Sequence, residues 1–206
     1  MRIIGGTAGG RLLQAPKGLS VRPTPDLVRQ AVFNSLGPRV EGARVLDLFS
    51  GTGALGLECL SRGAAEVVSV ELSGRHARYI RENAERLGLG EGHHEVRVQE
   101  AFAALRSLAG AQRRFDLILA DPPFGPKTAG ARSESASQQL VDAAETRAVL
   151  AEGGRLVLGH ARRDGVRVPE VWHEYRRLDH GDSVFRILGV EGVVEESHCL
   201  PMNSPK

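Results

Sequence analysis

A glycine-rich segment, DLFSGTGALG, is the part of the sequence best suited to hold a ligand. Gly51, Gly53 and Gly56 follow a continuous apolar run, and Glu71 ends the next apolar run. Glycines at a strand-to-helix turn let the backbone approach a ligand closely, and an acidic residue at the end of the second strand accepts hydrogen bonds from a ribose. The pattern predicts a nucleoside-type cofactor, either a nicotinamide dinucleotide or S-adenosylmethionine.

Asp47 favours the second of these cofactors. A carboxylate four residues before the first glycine of the turn would repel the pyrophosphate of a dinucleotide. S-adenosylmethionine carries an ammonium and a sulfonium group, and both are attracted to a carboxylate. We therefore expect Asp47 to receive the amino-acid end of S-adenosylmethionine, directly or through water.

The motif Asp121-Pro122-Pro123-Phe124 ends another apolar run and is suited to bind an amino group. Two consecutive prolines fix the backbone and lack N–H donors, so carbonyl oxygens stand as acceptors beside the Asp121 carboxylate. Hydrogen bonds accepted from both amino hydrogens of a base free the nitrogen lone pair, and Phe124 can stack on that base. The motif predicts methyl transfer to an exocyclic amino group without a metal or a covalent intermediate.

The surrounding pattern alternates strands with helices and predicts an α/β fold. The apolar runs that we interpret as strands are 43–49, 66–72, 95–99, 115–121 and 154–161. Such alternation is typical of a doubly wound, mostly parallel sheet, in which ligands bind at the carboxyl ends of the strands near the switch point. We expect a Rossmann-like sandwich whose first and fourth strands bring Asp47 and Asp121 into one crevice. Segments 174–181 and 182–190 leave no room for a helix between them and predict an antiparallel hairpin at the sheet edge.

We divide the chain into a basic N-terminal extension (1–40), a catalytic domain (41–190) and an irregular tail (191–206). The extension is expected to form a hairpin over 1–15, followed by a helix capped by Thr24 that ends at Gly37. Most of the small, polar segment 125–139 is predicted to be a mobile loop.

The formal net charge of +2 hides an uneven distribution. Residues 1–40 contain six basic residues and one acidic residue, whereas residues 41–206 contain 21 basic and 24 acidic residues. A local excess of arginine and lysine is suited to bind phosphates. The candidates for such contacts are Arg2, Arg11, Lys17, Arg22 and Arg29.

Composition excludes several classes of protein. With 41% hydrophobic and 25% charged residues the chain is globular, and no apolar run approaches the roughly 20 residues that cross a bilayer. The N-terminus lacks the pattern of a secretory signal, so we expect a cytoplasmic protein with no membrane partner. Cys59 and Cys199 indicate neither a disulfide nor a metal site, and the sequence leaves the oligomeric state open.

The two motifs together resemble a known family. The segments DLFSGTGALGLE and DPPF, with MRIIGG at the start, RPTPDLVRQAVFNSL (22–36) and FRILGV near the end, are similar to the bacterial methyltransferases that modify the N2 amino group of a guanine in 16S ribosomal RNA. The resemblance covers about residues 1–190. It implies a class I, S-adenosylmethionine-dependent methyltransferase whose partner is 16S ribosomal RNA or a small-subunit assembly intermediate.

The resemblance also implies roles for individual residues. Asp47, Gly51 and Gly53 would flank the methionine part of the cofactor, Glu71 would bind its ribose, and Glu100 with Ala101 would lie beside its adenine. Phe49 and Leu72 complete the expected cofactor-binding set. Asp121, Pro122, Pro123 and Phe124 match the catalytic motif of the family residue by residue.

Three other functions remain open at this point. The acceptor could be a different amino group, such as adenine N6 in DNA or a protein glutamine amide, because DPPF resembles the motifs that serve those acceptors. The glycine spacing by itself also permits a nicotinamide-dependent oxidoreductase. An RNA-binding module that retains the pocket without catalysis is the third alternative.

Overall fold

A computed structural model describes residues 1–16, 24–123 and 134–190 of the 206-residue chain. The helices in these ranges are α1 (Asp26–Leu36), α2 (Ala54–Ser61), α3 (Gly74–Leu87), α4 (Ala101–Gly110), α5 (Ala136–Asp142) and α6 (Ala144–Ala148). The strands are β1 (Arg44–Leu48), β2 (Glu66–Glu71), β3 (His94–Val98), β4 (Phe115–Ala120), β5 (Leu150–Ala161), β6 (Trp172–His180) and β7 (Ser183–Val190). None of these helices is both long and apolar enough to cross a membrane.

The strands of the described ranges form one seven-stranded sheet in the order β3-β2-β1-β4-β5-β7-β6. The strands from β3 to β5 are parallel to their neighbours, and β7 pairs antiparallel with both β5 and β6. The chain moves outward from β1 to β3 and then returns to place β4 on the other side of β1, which makes the β1/β4 boundary the switch point. The predicted doubly wound sheet with an antiparallel C-terminal hairpin is confirmed.

Apolar clusters cover both faces of the sheet. On one face, α1, α2 and α3 pack with the N-terminal segment, and on the other face α4 and α5 pack against the strands. Val45 and Leu46 belong to different clusters because successive residues of a strand point to opposite faces. Burial on both faces explains why these strands appear in the sequence as unbroken apolar runs.

Residues 1–16 form a tight turn that packs into the core of the first face. Arg2 and Leu12 form a single antiparallel bridge, which confirms the predicted hairpin in a minimal form. Ile3 is fully buried and Leu13 is nearly so, and both belong to the cluster that includes α1 and α2. The basic extension therefore shares the hydrophobic core of the sheet.

The carboxylate of Glu58 on α2 anchors this turn. The side chain is fully buried, and its two oxygens accept hydrogen bonds from the backbone N–H groups of Ile4 at 2.7 Å and Gly5 at 2.8 Å. Arg62, the C-cap residue that follows α2, donates to the carboxylate at 2.8 Å. Ser61 donates to the carbonyl of Gly5 at 2.6 Å. Helix α2 thus connects the N-terminal turn to the sheet.

The start of α1 differs from the prediction. The helix begins at Asp26, and Pro25 rather than Thr24 occupies the N-cap position. The Thr24 hydroxyl donates its hydrogen bond to the carboxylate of Asp121 instead of to the helix. The helix ends at Leu36, as the sequence predicted.

The segment that we predicted to be a mobile loop is partly helical. Helix α5 begins at Ala136, and the Ser135 hydroxyl caps it by accepting a hydrogen bond from the N–H of Gln138. The last four residues of the segment, 136–139, are therefore helical, and the loop prediction for most of the remainder stays a prediction. Residues 124–133 and the predicted tail 191–206 lie outside the described residues.

Replacement of Glu58 by glutamine should destabilise the protein. An amide has one acceptor oxygen, so one of the two N–H groups of the N-terminal turn would face an NH2 donor. The loss of a buried hydrogen bond to a charged group costs about 1.5–3 kcal/mol, and we expect urea denaturation to report a decrease of about 2 kcal/mol in the free energy of unfolding.

Glu82→Gln is the matched control for this change. Glu82 pairs with Arg78 at 3.3 Å on the exposed face of α3, also four residues apart, and its loss should cost about 0.5 kcal/mol or less. An equal effect of the two substitutions would contradict the anchoring role of Glu58.

Candidate active site

The glycine-rich turn and Asp121 lie side by side at the edge of the sheet. β1 and β4 are parallel neighbours, and Leu48 is paired with Ala120. Phe49 and Asp121 are the next residues along each strand, so both segments leave the sheet at the same level. The carboxyl ends of parallel strands at the switch point form the crevice in which ligands bind. Tertiary structure therefore places the two predicted motifs in one site.

The turn over residues 49–53 depends on positive backbone angles. The φ angle is 59° at Phe49, 58° at Gly51 and 81° at Gly53. Apart from Gly51 itself and its two chain neighbours, no described residue has an atom within 4 Å of the position that a Cβ on Gly51 would take, whereas a Cβ on Gly53 would lie 3.1 Å from Ile80. Gly51 therefore presents its backbone to open space, and Gly53 allows the turn to pack closely on α3.

Glu71 holds this turn with both carboxylate oxygens. Oε2 accepts a hydrogen bond from the N–H of Gly51, and Oε1 accepts one from the N–H of Ser73, each at 2.8 Å. Nδ1 of His76 lies 3.5 Å from Oε1. A carboxylate has about four lone-pair positions, so the predicted contact with a ribose would use those that these bonds leave. That contact stays a prediction.

Asp47 is buried beneath the turn. Its Oδ2 accepts a hydrogen bond from the N–H of Gly56 at 3.1 Å, and a Cβ on Gly56 would lie 2.9 Å from that oxygen. The third glycine of the motif therefore lets α2 approach β1 closely. Burial raises the pKa of Asp47 to about 7, against the lowering effect of hydrogen bonds from Ser50 and Gly56, and the charges of Glu71 and Asp121 raise it further. This carboxyl group is suited to receive a cation.

Two exposed apolar side chains stand beside Glu71. Leu72 follows it directly, and Val98 is its register partner on β3. Leu72 is 71% exposed and Val98 is 52% exposed. Together they form an exposed apolar surface next to Glu71, the carboxylate that we expect to bind a ribose. Such a surface is suited to the flat base that the ribose carries. Sequence reasoning missed Val98, although it lies at the end of an apolar strand.

Glu100 caps α4. Its carboxylate oxygens accept hydrogen bonds from the N–H of Phe102 at 2.9 Å and from the N–H of Ala103 at 2.8 Å. Ala101, the first residue of the helix, is buried. The capping bonds give Glu100 a structural role, and its predicted contact with an adenine stays a prediction.

Asp121 is flanked by groups from two distant segments. Its Oδ2 accepts the hydrogen bond from Thr24, which precedes α1, and a Cβ on Gly159 of β5 would lie 2.4 Å from its Oδ1. Burial raises the pKa of Asp121, and the hydrogen bond from Thr24 lowers it. Pro122 is buried and Pro123 is exposed, while Phe124 lies outside the described residues.

Sequence reasoning missed both groups that adjoin the Asp121 carboxylate. A threonine that precedes a helix was interpreted as its cap, and a glycine inside a strand gives only a weak signal of close approach. These two positions are 97 and 38 residues from Asp121, so only the folded chain brings them to it.

The arginines of the N-terminal extension differ in what they can contact. Arg29 is fully buried, and its guanidinium donates to the carbonyl of Arg2 and to Asp26, so the prediction that it contacts phosphate is wrong for this conformation. Arg2 is exposed and pairs with Asp26 at 3.2 Å. Arg11 donates to carbonyl groups at the end of α3. Lys17 and Arg22 lie outside the described residues.

Comparison with known proteins gives consistent matches over nearly the whole chain. A family model described as Conserved hypothetical protein 95 matches residues 1–189. Ribosomal RNA small subunit methyltransferase D of Escherichia coli (strain K12) is 31% identical over 188 residues, which are 91% of this chain and 88% of that protein. The chain belongs to the family that this model describes, together with its methyltransferase relatives. It is a methyltransferase.

Two further relatives agree with this membership. The Bacillus subtilis (strain 168) protein YlbH is 35% identical over 170 residues, covering 82% of this chain and 86% of that protein. The solved structure of the Escherichia coli protein yhhF superposes with a TM-score of 0.76 at 30% identity, covering 93% of this chain and 98% of that chain.

The methyltransferase site fits S-adenosylmethionine. The turn offers open backbone at Gly51, where no Cβ obstructs a ligand. Asp47 supplies a buried carboxyl group that accepts a hydrogen bond from the N–H of Gly56 and has the acidic groups Glu71 and Asp121 as its charged neighbours in the described ranges, so a cation can compensate its charge. Leu72 and Val98 supply the apolar surface for a base. With Glu71 near the same turn as an acceptor for a ribose, these residues are suited to the amino-acid end, the sugar and the base of this cofactor.

Replacement of Asp47 by asparagine should remove a pH dependence of the methyltransferase's stability. Because the pKa of Asp47 is raised in the folded state, that state binds more protons than the unfolded state between about pH 4 and pH 7. The free energy of unfolding should therefore decrease as the pH rises through this window, by about 2–4 kcal/mol. Urea denaturation of the ligand-free Asp47→Asn variant at pH 5 and pH 8 should lack this decrease.

Asp116→Asn provides the control for that experiment. The Arg44 guanidinium holds the pKa of Asp116 below its usual value, so its contribution is lost only on acidification below about pH 4. The control should keep the wild-type decrease between pH 5 and pH 8. If Asp47→Asn kept it as well, another group would be its source.

Proposed function

We propose that this methyltransferase transfers a methyl group from S-adenosylmethionine to the N2 amino group of a guanine in 16S ribosomal RNA. The observation that carries the proposal is the adjacency of two motifs at the switch point of the sheet. The glycine-rich turn after β1 is suited to the cofactor, and Asp121-Pro122 after β4 is suited to an amino group.

S-adenosylmethionine supplies an electrophilic methyl group on a positively charged sulfur. The residues that would hold it are Asp47 at the amino-acid end, Glu71 at the ribose, and Leu72 with Val98 at the adenine. Gly51 and Gly53 keep the backbone close without side chains in the way. Alignment of a nucleophile with that methyl group can contribute roughly 7–11 kcal/mol to catalysis, so positioning is the main task of the protein.

Asp121 and Pro122 prepare the nucleophile. The exocyclic nitrogen of guanine is a weak nucleophile because its lone pair is delocalised into the ring. The Asp121 carboxylate and the Pro122 carbonyl accept hydrogen bonds from the two amino hydrogens, which directs the lone pair toward the methyl group. When the nitrogen gains the methyl group, it becomes positively charged and releases one of these two protons to solvent, which leaves the neutral N-methyl product. This role requires Asp121 to be ionised, since a protonated carboxyl group donates where an acceptor is needed. Phe124 would stack on the unstacked base.

Ribosomal RNA is proposed as the substrate on the basis of family membership. The Escherichia coli relative is named as a small-subunit ribosomal RNA methyltransferase. The N-terminal extension supplies positive charge for RNA phosphates, and Arg2, Arg11, Lys17 and Arg22 remain the candidates. A small-subunit assembly intermediate in the cytoplasm is the expected partner.

Substitution of Asp121 tests the assignment of the acceptor site. Asp121→Asn retains the size of the side chain but turns one acceptor oxygen into a donor, and we expect methyl transfer to fall by at least about 100-fold. Calorimetry should report unchanged binding of S-adenosylhomocysteine, because Asp121 does not hold the cofactor. Asp116→Asn, at the opposite end of β4, is the control and should retain activity.

The identity of the methylated group is tested separately. Small subunits and free 16S RNA from a strain that lacks this gene are incubated with wild-type protein and radiolabelled S-adenosylmethionine, and the labelled nucleoside is identified by mass spectrometry. N2-methylguanosine is the expected product. Label in N6-methyladenosine or in a protein glutamine would instead identify one of the alternative acceptors, and no label with intact cofactor binding would indicate a non-catalytic RNA-binding module.

A further inference from the structure

The hydroxyl of Thr24 contacts the Asp121 carboxylate from a segment distant from β4 in the sequence. It donates a hydrogen bond to Oδ2, although 97 residues separate the two in sequence. The opposite oxygen, Oδ1, occupies the space that the missing side chain of Gly159 leaves. The carboxylate is thus bounded on one side by a hydrogen-bond donor and on the other by the backbone of β5.

We propose that Thr24 is a positioning residue for methyl transfer, which orients the Asp121 carboxylate as a hydrogen-bond acceptor for the amino group of the substrate. The inference rests on the proposed function, because it takes the substrate to be an amino group. Thr24 itself touches neither the methyl group nor the nitrogen in this role, and acts through Asp121.

The chemistry of a threonine hydroxyl explains why this residue type suits the role. A hydroxyl that donates to Oδ2 stabilises the ionised carboxylate, since a proton on that oxygen would compete with it. Burial acts in the opposite direction and raises the pKa of Asp121. The hydrogen bond therefore preserves the acceptor state that the surrounding protein disfavours, and it occupies only one of the carboxylate's lone-pair positions, so others remain for the substrate.

The position of Thr24 is itself set by the N-terminal layer. Pro25, its neighbour, caps α1, and its carbonyl accepts hydrogen bonds from the N–H groups of Val28 and Arg29. The buried guanidinium of Arg29 joins the first turn of α1 to the carbonyl of Arg2 in the N-terminal turn. The extension that we expect to contact RNA is therefore continuous with the group that orients Asp121.

A comparison of Thr24→Val with Thr24→Ser tests the proposal. Valine has nearly the same shape as threonine but no hydroxyl, whereas serine retains the donor. The first measurement is the pKa of Asp121 by carbon-13 NMR of protein labelled at aspartate Cγ, with the resonance assigned by its absence in Asp121→Asn. We expect Thr24→Val to raise this pKa by about one pH unit or more and Thr24→Ser to keep it near the wild-type value.

The second measurement is the kinetics of methyl transfer. We expect Thr24→Val to lower kcat by about 10- to 100-fold, with the KM for S-adenosylmethionine unchanged, and to move the acidic limb of the kcat profile to higher pH. Thr24→Ser should restore the rate and the profile. Ser35→Ala, which removes a hydroxyl bonded within α1 to Ala31, is the control for general disturbance of the helix and should behave like wild type.

The two measurements separate failure of this inference from failure of the proposed function. An unchanged Asp121 pKa in Thr24→Val would overturn the positioning role for any substrate. An equal loss of activity in Thr24→Val and Thr24→Ser would also overturn it, since the hydroxyl would then be irrelevant. If the wild-type protein does not methylate guanine, the proposed function fails, and the pKa comparison still decides whether Thr24 controls Asp121.

Discussion

The withdrawal of two carboxyl groups from water at one edge of the sheet, nearly complete for Asp47 and partial for Asp121, is the constraint on which the rest of this site depends. Asp47 lies near the end of β1 and Asp121 directly follows the parallel strand β4, and their carboxylates accept hydrogen bonds from the N–H of Gly56 and the hydroxyl of Thr24, respectively. Removal of a carboxylate from water without a cationic partner raises its pKa, and burial raises the pKa of both Asp47 and Asp121. A positively charged cofactor and the amino group of the proposed substrate would each compensate the charge of one of these carboxylates.

The backbone accommodates these carboxyl groups by leaving out side chains. Gly56 lets α2 approach within hydrogen-bonding distance of Asp47, and Gly159 leaves room for Asp121 on β5. Glu71 then fixes the turn between them through Gly51. Each glycine serves a different purpose: open backbone toward a ligand, close packing of a helix, or space for a carboxylate.

The N-terminal extension is part of the same core as the sheet. Glu58 on α2 accepts hydrogen bonds from the backbone of the N-terminal turn, and the buried guanidinium of Arg29 on α1 donates to the carbonyl of Arg2 in that turn. The charged side chains of both residues bind backbone groups of the protein, whereas the charged side chains of an exposed RNA-binding arm would bind phosphates. The N-terminal extension thereby places the Thr24 hydroxyl within hydrogen-bonding distance of Asp121. The extension is therefore a component of the site as well as a source of positive charge.

The sequence by itself determined the sheet, the switch point and the two motifs. Strands buried on both faces require unbroken apolar runs, and a glycine turn followed by a helix has a spacing that local geometry imposes. These features depend on neighbours in sequence, so a pattern can reveal them. The fold class and the C-terminal hairpin were predictable for that reason. The adjacency of Asp47 and Asp121 was predictable because a doubly wound sheet places its first and fourth strands side by side at the switch point.

Tertiary structure alone decided what Thr24, Arg29 and Gly159 do. Thr24 has the residue type and the position of a helix cap, and the sequence predicted that role. Arg29 lies in a basic segment, and the sequence predicted a contact with phosphate. Their partners lie on distant segments, and a hydroxyl or a guanidinium can bond equally well to a local or a remote acceptor. Which acceptor is within reach depends on how α1 packs on the sheet, and this information is absent from any local pattern of residues.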